Sequence, residues 1–99
     1  MCSIAGIISL NGKPYEKMHK GLSVMNNIQK HRGPDGEGIW VHSSGEVGFG
    51  HRRLSIIDLS TGSQPMIADN GNCVCFNGEI FNYLELKEEM GGSYLTTSD

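Results

Sequence analysis

The chain has 99 residues, 8 basic and 11 acidic side chains, and a formal net charge of −3. That is one small domain's worth of sequence, with a charge balance that excludes a basic nucleic-acid-binding module and a polybasic membrane anchor. Its longest apolar runs, Ile4 to Leu10 and Leu54 to Ile57, fall far short of the roughly 20 residues of a membrane span. Met1-Cys2 leads straight into one of them without a basic flank, so no secretory leader is read, and the odd, sparse set Cys2, Cys73 and Cys75 points to reduced thiols in a cytoplasm.

In chain order, Ser3 to Leu10 reads as a buried strand and Asn11-Gly12 as a turn. Pro14 suits the first turn of a helix running to about Lys30, with Met18, Leu22, Met25 and Ile28 as its apolar, core-facing stripe. The run His31 to Gly38, H-R-G-P-D-G-E-G, is a loop. Gly38 to His42 and Glu46 to His51 form two strands of a hairpin around Ser43-Ser44-Gly45. Leu54 to Leu59 is a further extended candidate. Asp69-Asn70-Gly71-Asn72 is a turn between Met66-Ile67 and the strand Cys73 to Phe76. Asn82 caps a short helix ending at Gly91-Gly92, whose Glu85, Glu88 and Glu89 form a solvated face, and Ser93 to Thr97 is a last strand. Strands joined by short connections indicate an α+β fold with antiparallel pairing. With nothing to cover a second sheet face, the chain reads as part of a larger domain.

Three places could carry chemistry. Removal of Met1 would make Cys2 the terminus, with its own α-amine as the base for its thiol; otherwise Cys2 is an incidental thiol at a frayed end. Asn77-Gly78-Glu79 could supply two oxyanion donors, the Asn amide and the Gly N–H, or be no more than a hairpin turn. Arg53 and Asp99 are the cation and carboxylate that a free α-amino acid requires, although either alone is an ordinary surface charge. All three arginines (Arg32, Arg52, Arg53) lie in loop-like mid-chain sequence suited to reading an anion. The four histidines show no metal-ligand spacing, and Cys73 and Cys75 are expected on opposite strand faces, so no metal site is expected. The glycine-rich run is not followed by G-K-S/T and is not a phosphate loop.

Six segments occur together in one order: Met1-Cys2-Ser3-Ile4-Ala5-Gly6-Ile7, His31 to Gly36, His51 to Asp58, Gln64-Pro65-Met66, Phe76 to Tyr83, and Thr97-Ser98-Asp99. In that order they resemble the glutaminase domain of glutamine-dependent asparagine synthetases, which are class II, N-terminal-nucleophile amidotransferases. The resemblance runs over the whole chain and favours the chemical readings of Cys2 and Asn77-Gly78. It implies Cys2 as the nucleophile on the glutamine side-chain amide, and Asn77 and Gly78 as the oxyanion hole. Arg53 is implied as the clamp on the α-carboxylate, Glu79 and Asp99 as the partners of the α-amino end, and Leu54 and Ile56 as backbone contacts to the substrate. Ser3 stands where glycine is commonest in the family, and Phe81 where tyrosine is usual.

The implied fold is the N-terminal part of a four-layer αββα sandwich with mainly antiparallel sheets. Family glutaminase domains are longer, so residues 1–99 would be a partial domain. The implied partners are glutamine, a C-terminal synthetase domain of the same protein and a possible second copy in a homodimer. ATP and Mg²⁺ belong to the synthetase domain, and no cofactor is expected in this segment. The implied reaction supplies ammonia for ATP-dependent amidation of aspartate. Alternatives are a different acceptor, such as a carboxylated sugar of a surface polysaccharide, or an inactive truncated fragment.

Overall fold

The computed structural model describes residues 2–54 and 63–92. Strand β1 (Ser3–Ile8) is followed by helix α1 (Met18–Ile28) and a single 3₁₀ turn at Lys30–Arg32. The hairpin strands β2 (Gly36–Val41) and β3 (Val47–Arg53) come next, then the short strands β4 (Met66–Ile67) and β5 (Cys73–Val74) and helix α2 (Tyr83–Met90). This is the α+β fold expected from sequence. The strand expected at 93–97, and all but Leu54 of the one expected at 54–59, lie outside the described residues.

The β2–β3 hairpin forms where the sequence places its turn. Gly45 adopts φ +73°, its N–H donates to the His42 carbonyl at 2.8 Å, and the Ser44 N–H donates to His42 Nδ1 at 3.1 Å. Pairing is antiparallel from Gly36↔Arg53 to Val41↔Gly48. Strand β1 pairs on the other side of β3, from Ser3↔Arg52 to Ile8↔Val47, which makes β3 the central strand in the order β1-β3-β2. Alternate residues of a strand share a face. Gly48, Gly50 and Arg52 therefore face one way, and Phe49, His51 and Arg53 the other.

Helix α1 packs on the glycine face. It buries Met18, Leu22 and Asn26, spaced four apart along one side of the helix. A Cβ on Gly48 would run into Leu22 and Met18, and one on Gly50 into Asn26, so the missing side chains are what lets the helix approach. This corrects the expected stripe. Met25 is exposed and Ile28 is 69% exposed, because the helix turns Asn26 inward, where its Nδ2 donates to the Gly38 carbonyl at 3.1 Å. The helix also begins later than Pro14. The Tyr15 N–H donates to Gly45 O at 2.9 Å and the Ser9 N–H to Glu46 O at 2.7 Å, tying residues 9–15 to the hairpin instead of the first helical turn.

The opposite face carries the segment 64–76. Strands β4 and β5 pair antiparallel (Met66↔Val74, Ile67↔Cys73) around a turn in which Gly71 takes φ +89°. Cys73 and Cys75 both line an apolar cleft with Ile4, Gly6 and Phe49. They do not point to opposite faces as expected, since positions i and i+2 of extended chain lie on the same side. Trp40 stacks on Phe49 with ring centroids 5.3 Å apart. In α2, Asn82 stands at the N-cap, where its carbonyl accepts the Leu86 N–H at 3.0 Å while its side chain makes no capping bond, and Gly91 ends the helix at φ +66°. Glu85, Glu88 and Glu89 are exposed, as a solvated face requires. No helix among the described residues is long and apolar enough to cross a membrane.

Seating α1 on bare backbone has a measurable cost when a methyl group intrudes. Gly48→Ala and Gly50→Ala are each expected to destabilise the protein by about 1–3 kcal/mol in chemical denaturation, the usual cost of overpacking. Gly6→Ala, whose added Cβ meets only ordinary contacts at 3.7 Å, should change stability by less than about 0.5 kcal/mol.

Candidate active site

The chain enters β1 at the same end of the sheet where it leaves β3, because Ser3 is in register with Arg52. Cys2 therefore meets Leu54. The Leu54 N–H donates to Cys2 Sγ at 3.3 Å, and the thiol donates back to the Leu54 carbonyl at 3.6 Å. Cys2 is half-buried by this arrangement and does not fray from the sheet. Arg53, the residue before Leu54, is likewise half-buried, and its carbonyl accepts the Asp35 N–H at 2.9 Å.

Arg52, on the α1 face, has a different task from the anion reading expected of the mid-chain arginines. It is 6% exposed, its Nε donates to the Gly33 carbonyl at 2.9 Å, and a terminal nitrogen donates to Glu37 Oε2 at 3.2 Å. The guanidinium thus pins the start of β2 and the loop before it onto the central strand. Gly33 is buried against the backbone of Arg52 and Arg53, so the glycine-rich run is a packing element. It leads into a strand, not into the helix N-terminus that a phosphate loop needs.

Asn77 and Gly78 follow Phe76, whose backbone is gripped on both sides. His51 Nε2 donates to the Phe76 carbonyl at 3.0 Å, and the Phe76 N–H donates to Gln64 Oε1 at 2.5 Å. A carbonyl can only accept, so Nε2 carries the proton. Just before this, Cys75 Sγ donates to the Gly50 carbonyl at 3.6 Å. The hairpin-turn reading of Asn77-Gly78 does not fit, because a type I′ turn needs positive φ at both residues and neither has it. The pair is exposed, with the Phe76 ring lying where a Cβ on Gly78 would be. Glu79 is exposed beside it, while Ile56 and Asp99 lie outside the described residues.

Titration separates the side chains around this site. Burial pushes the Cys75 thiol up to about 11, with Cys73 adding to the effect, and burial raises Cys73 as well. Both remain thiols at neutral pH and are poor nucleophiles. His51 is pushed below its ordinary range, chiefly by burial and further by the Arg53 charge, against an upward pull from the Phe76 carbonyl. Among the described residues no three His, Cys, Asp or Glu side chains gather to hold a metal ion. Sequence reasoning passed over His51 and Gln64. Each is an ordinary polar residue in its own segment, and only the folded chain brings them to Phe76.

The sequence has relatives among known proteins. The sequence model of the glutamine amidotransferase domain family matches residues 1–99. Asparagine synthetase [glutamine-hydrolyzing] 1 of Bacillus subtilis (strain 168) is 42% identical over 106 residues, covering 100% of this chain and 16% of that protein. A second B. subtilis protein, asparagine synthetase [glutamine-hydrolyzing] 2, is 43% identical over 102 residues, covering 100% and 13%. Asparagine synthetase B [glutamine-hydrolyzing] of Escherichia coli (strain K12) is 36% identical over 95 residues, covering 95% and 17%. The chain thus spans less than a fifth of the length of each of these curated relatives.

A buried neutral imidazole makes stability depend on pH. Because the folded-state value of His51 lies below its ordinary 6.5, the unfolded chain binds more protons between the two, and stability rises with pH across that window. The contribution is complete above about pH 6.5 and is lost as pH falls toward the folded-state value. Denaturation midpoints measured between pH 7.5 and 5 should show this fall, and the slope should be reduced in His51→Gln.

Proposed function

The chain belongs to the glutamine amidotransferase domain family, and from that premise we propose that it carries the glutaminase site of an ammonia-transferring enzyme. The observation that carries the reading is the seat of Cys2. Its thiol lies against the Leu54 backbone, immediately beside Arg53, so the candidate nucleophile and the candidate carboxylate clamp share one end of β3.

In this mechanism Met1 is removed and the freed α-amine of Cys2 takes the thiol proton as Sγ attacks the glutamine side-chain carbonyl. The carbonyl oxygen becomes an oxyanion that the Asn77 side-chain amide and the Gly78 N–H stabilise. Collapse of that intermediate passes the proton to the leaving nitrogen, releases ammonia and leaves a γ-glutamyl thioester on Cys2. Water hydrolyses the thioester, giving glutamate and restoring the thiol. Arg53 holds the substrate α-carboxylate through its planar fork, Glu79 and Asp99 receive the α-ammonium group, and Leu54 and Ile56 contribute backbone contacts. Leu54 already turns its N–H and carbonyl to Cys2, so a substrate that it touches lies next to the attacking sulfur.

Ammonia needs an acceptor, and the relatives are named asparagine synthetases. The full reading is therefore ammonia supply to a synthetase part that uses ATP and Mg²⁺ to activate aspartate, with the further layers of an αββα sandwich completed beyond these residues. The described residues present a helix on an antiparallel sheet with a hairpin across its other face.

Steady-state kinetics on the complete protein test the roles separately. Cys2→Ala should abolish glutamine-dependent turnover while ammonia-dependent synthesis persists. Asn77→Ala should lower glutamine hydrolysis by about 10²–10³-fold. Arg53→Ala should act mainly through a raised KM for glutamine, because the clamp is made equally in the ground and transition states, and lysine at this position should rescue poorly. Intact mass of active protein should show the loss of Met1. Full activity with Met1 retained, or turnover by Cys2→Ala, would overturn the reading.

A further inference from the structure

Gly38 and His51 are cross-strand partners in the β2–β3 ladder and face the side of the sheet away from α1. The Gln64 carbonyl occupies the space that a Cβ on Gly38 would need, so residue 64 is seated directly on the strand. From that seat the Gln64 side chain accepts the Phe76 N–H, while His51 donates to the Phe76 carbonyl at 3.0 Å. The four residues close a frame: strand to strand through Gly38 and His51, then up to Phe76 and back through Gln64. Neither bond to Phe76 comes from a sheet ladder. Both come from side chains.

The consequence lies in the next peptide. The Phe76 carbonyl and the Asn77 N–H belong to one planar trans unit and point in opposite directions. A carbonyl drawn down onto the imidazole therefore fixes the plane through which the chain enters Asn77. The Phe76 ring folds back against Gly78, so the same residue also confines the backbone of the second donor. The imidazole itself is 1% exposed and does not border open solvent.

We propose that His51, acting with Gln64 through the Phe76 peptide, is a positioning residue that orients the Asn77 and Gly78 donors toward the developing oxyanion. The proposal rests on the assignment of those donors above. It places in the glutaminase reaction a buried histidine that neither touches substrate nor exchanges a proton with it.

The test compares His51→Phe, which keeps a ring and removes the donor, with His51→Gln, which returns a neutral N–H at about the reach of Nε2. In the complete protein His51→Phe should lower kcat for glutamine hydrolysis about 10- to 100-fold, the scale of loss from a slightly misplaced catalytic group. The KM for glutamine should stay within about threefold. Alkylation of Cys2 by iodoacetamide, a displacement that builds no oxyanion, should keep the wild-type rate. His51→Gln should recover most of the lost kcat. Gln64→Leu and Gln64→Glu form a second pair, since glutamate keeps the acceptor for the Phe76 N–H, and they decide the matter if His51→Phe does not fold. In an Asn77→Ala background the His51 substitution should add little, because both act on one group.

Unchanged kcat in His51→Phe or Gln64→Leu, equal losses in the phenylalanine and glutamine variants, losses that multiply with Asn77→Ala, or slowed alkylation would each overturn the proposal and leave the oxyanion assignment standing. If Asn77→Ala alone keeps full kcat, the oxyanion assignment itself falls, and the proposal falls with it.

Discussion

Helix α1 lies against the bare backbone of β3 because Gly48 and Gly50 present no side chain to it, and Leu22 and Asn26 fill the space that two Cβ atoms would take. That contact settles which side of the central strand is interior. A strand has only two faces, so burying the glycines under a helix sends Phe49, His51 and Arg53 to the other one. A shift of one residue in the β1–β3 register would reverse every assignment and put Arg53 under the helix. The packing of α1 and the placement of the candidate site residues across the sheet are thus one decision. Arg52 reinforces it, since its guanidinium reaches Gly33 and Glu37 only on the helix side.

On the other face the candidate site draws on groups that have little in common locally. Cys2 arrives from the start of β1, Arg53 and Leu54 from the end of β3, and Phe76 to Gly78 from beyond the β4–β5 hairpin. What anchors each segment is a small number of hydrogen bonds to backbone atoms: Leu54 with the thiol, Gly50 with Cys75, and Phe76 with His51 and Gln64. Backbone partners suit this purpose. A backbone carbonyl or N–H moves far less than a side chain: Gly50 lies in β3 and Leu54 directly follows it, while the His51 imidazole carries the hold of β3 out to Phe76.

Local chemistry wrote much of this fold into the sequence. The Gly45 and Gly71 reversals, the end of α2 at Gly91 and the paired strands around the first of these turns are all signalled by residues close to the feature they produce. Long-range choices were less legible. Periodicity favoured Met25 and Ile28 for the helix interior, yet the helix is oriented by the glycine seat on a strand some twenty residues later, and that seat admits Asn26. The start of α1 was obscured in the same way, by hydrogen bonds from residues 9 and 15 to the distant hairpin. At the site, Cys2 and the Asn77-Gly78 pair could be suspected from residue type, and the family resemblance strengthened the suspicion. His51 could not, because its neighbours in sequence say nothing of a carbonyl 25 residues away.

The thiol and its seat at Leu54 are separated by 52 positions in sequence. Closing a loop of that length has an entropic cost that local turns do not, so the β1–β3 pairing belongs among the slower, non-local steps of folding. A chain emerging during synthesis presents its first strand long before the residues that will pair with it exist. Throughout that interval Cys2 is without the Leu54 backbone that later holds its thiol. Once residues 47–54 are in place Cys2 is half-buried. The long separation therefore sets an order of events, in which β1 stays unpaired until β3 is made and the Cys2 thiol gains its seat at Leu54 only then.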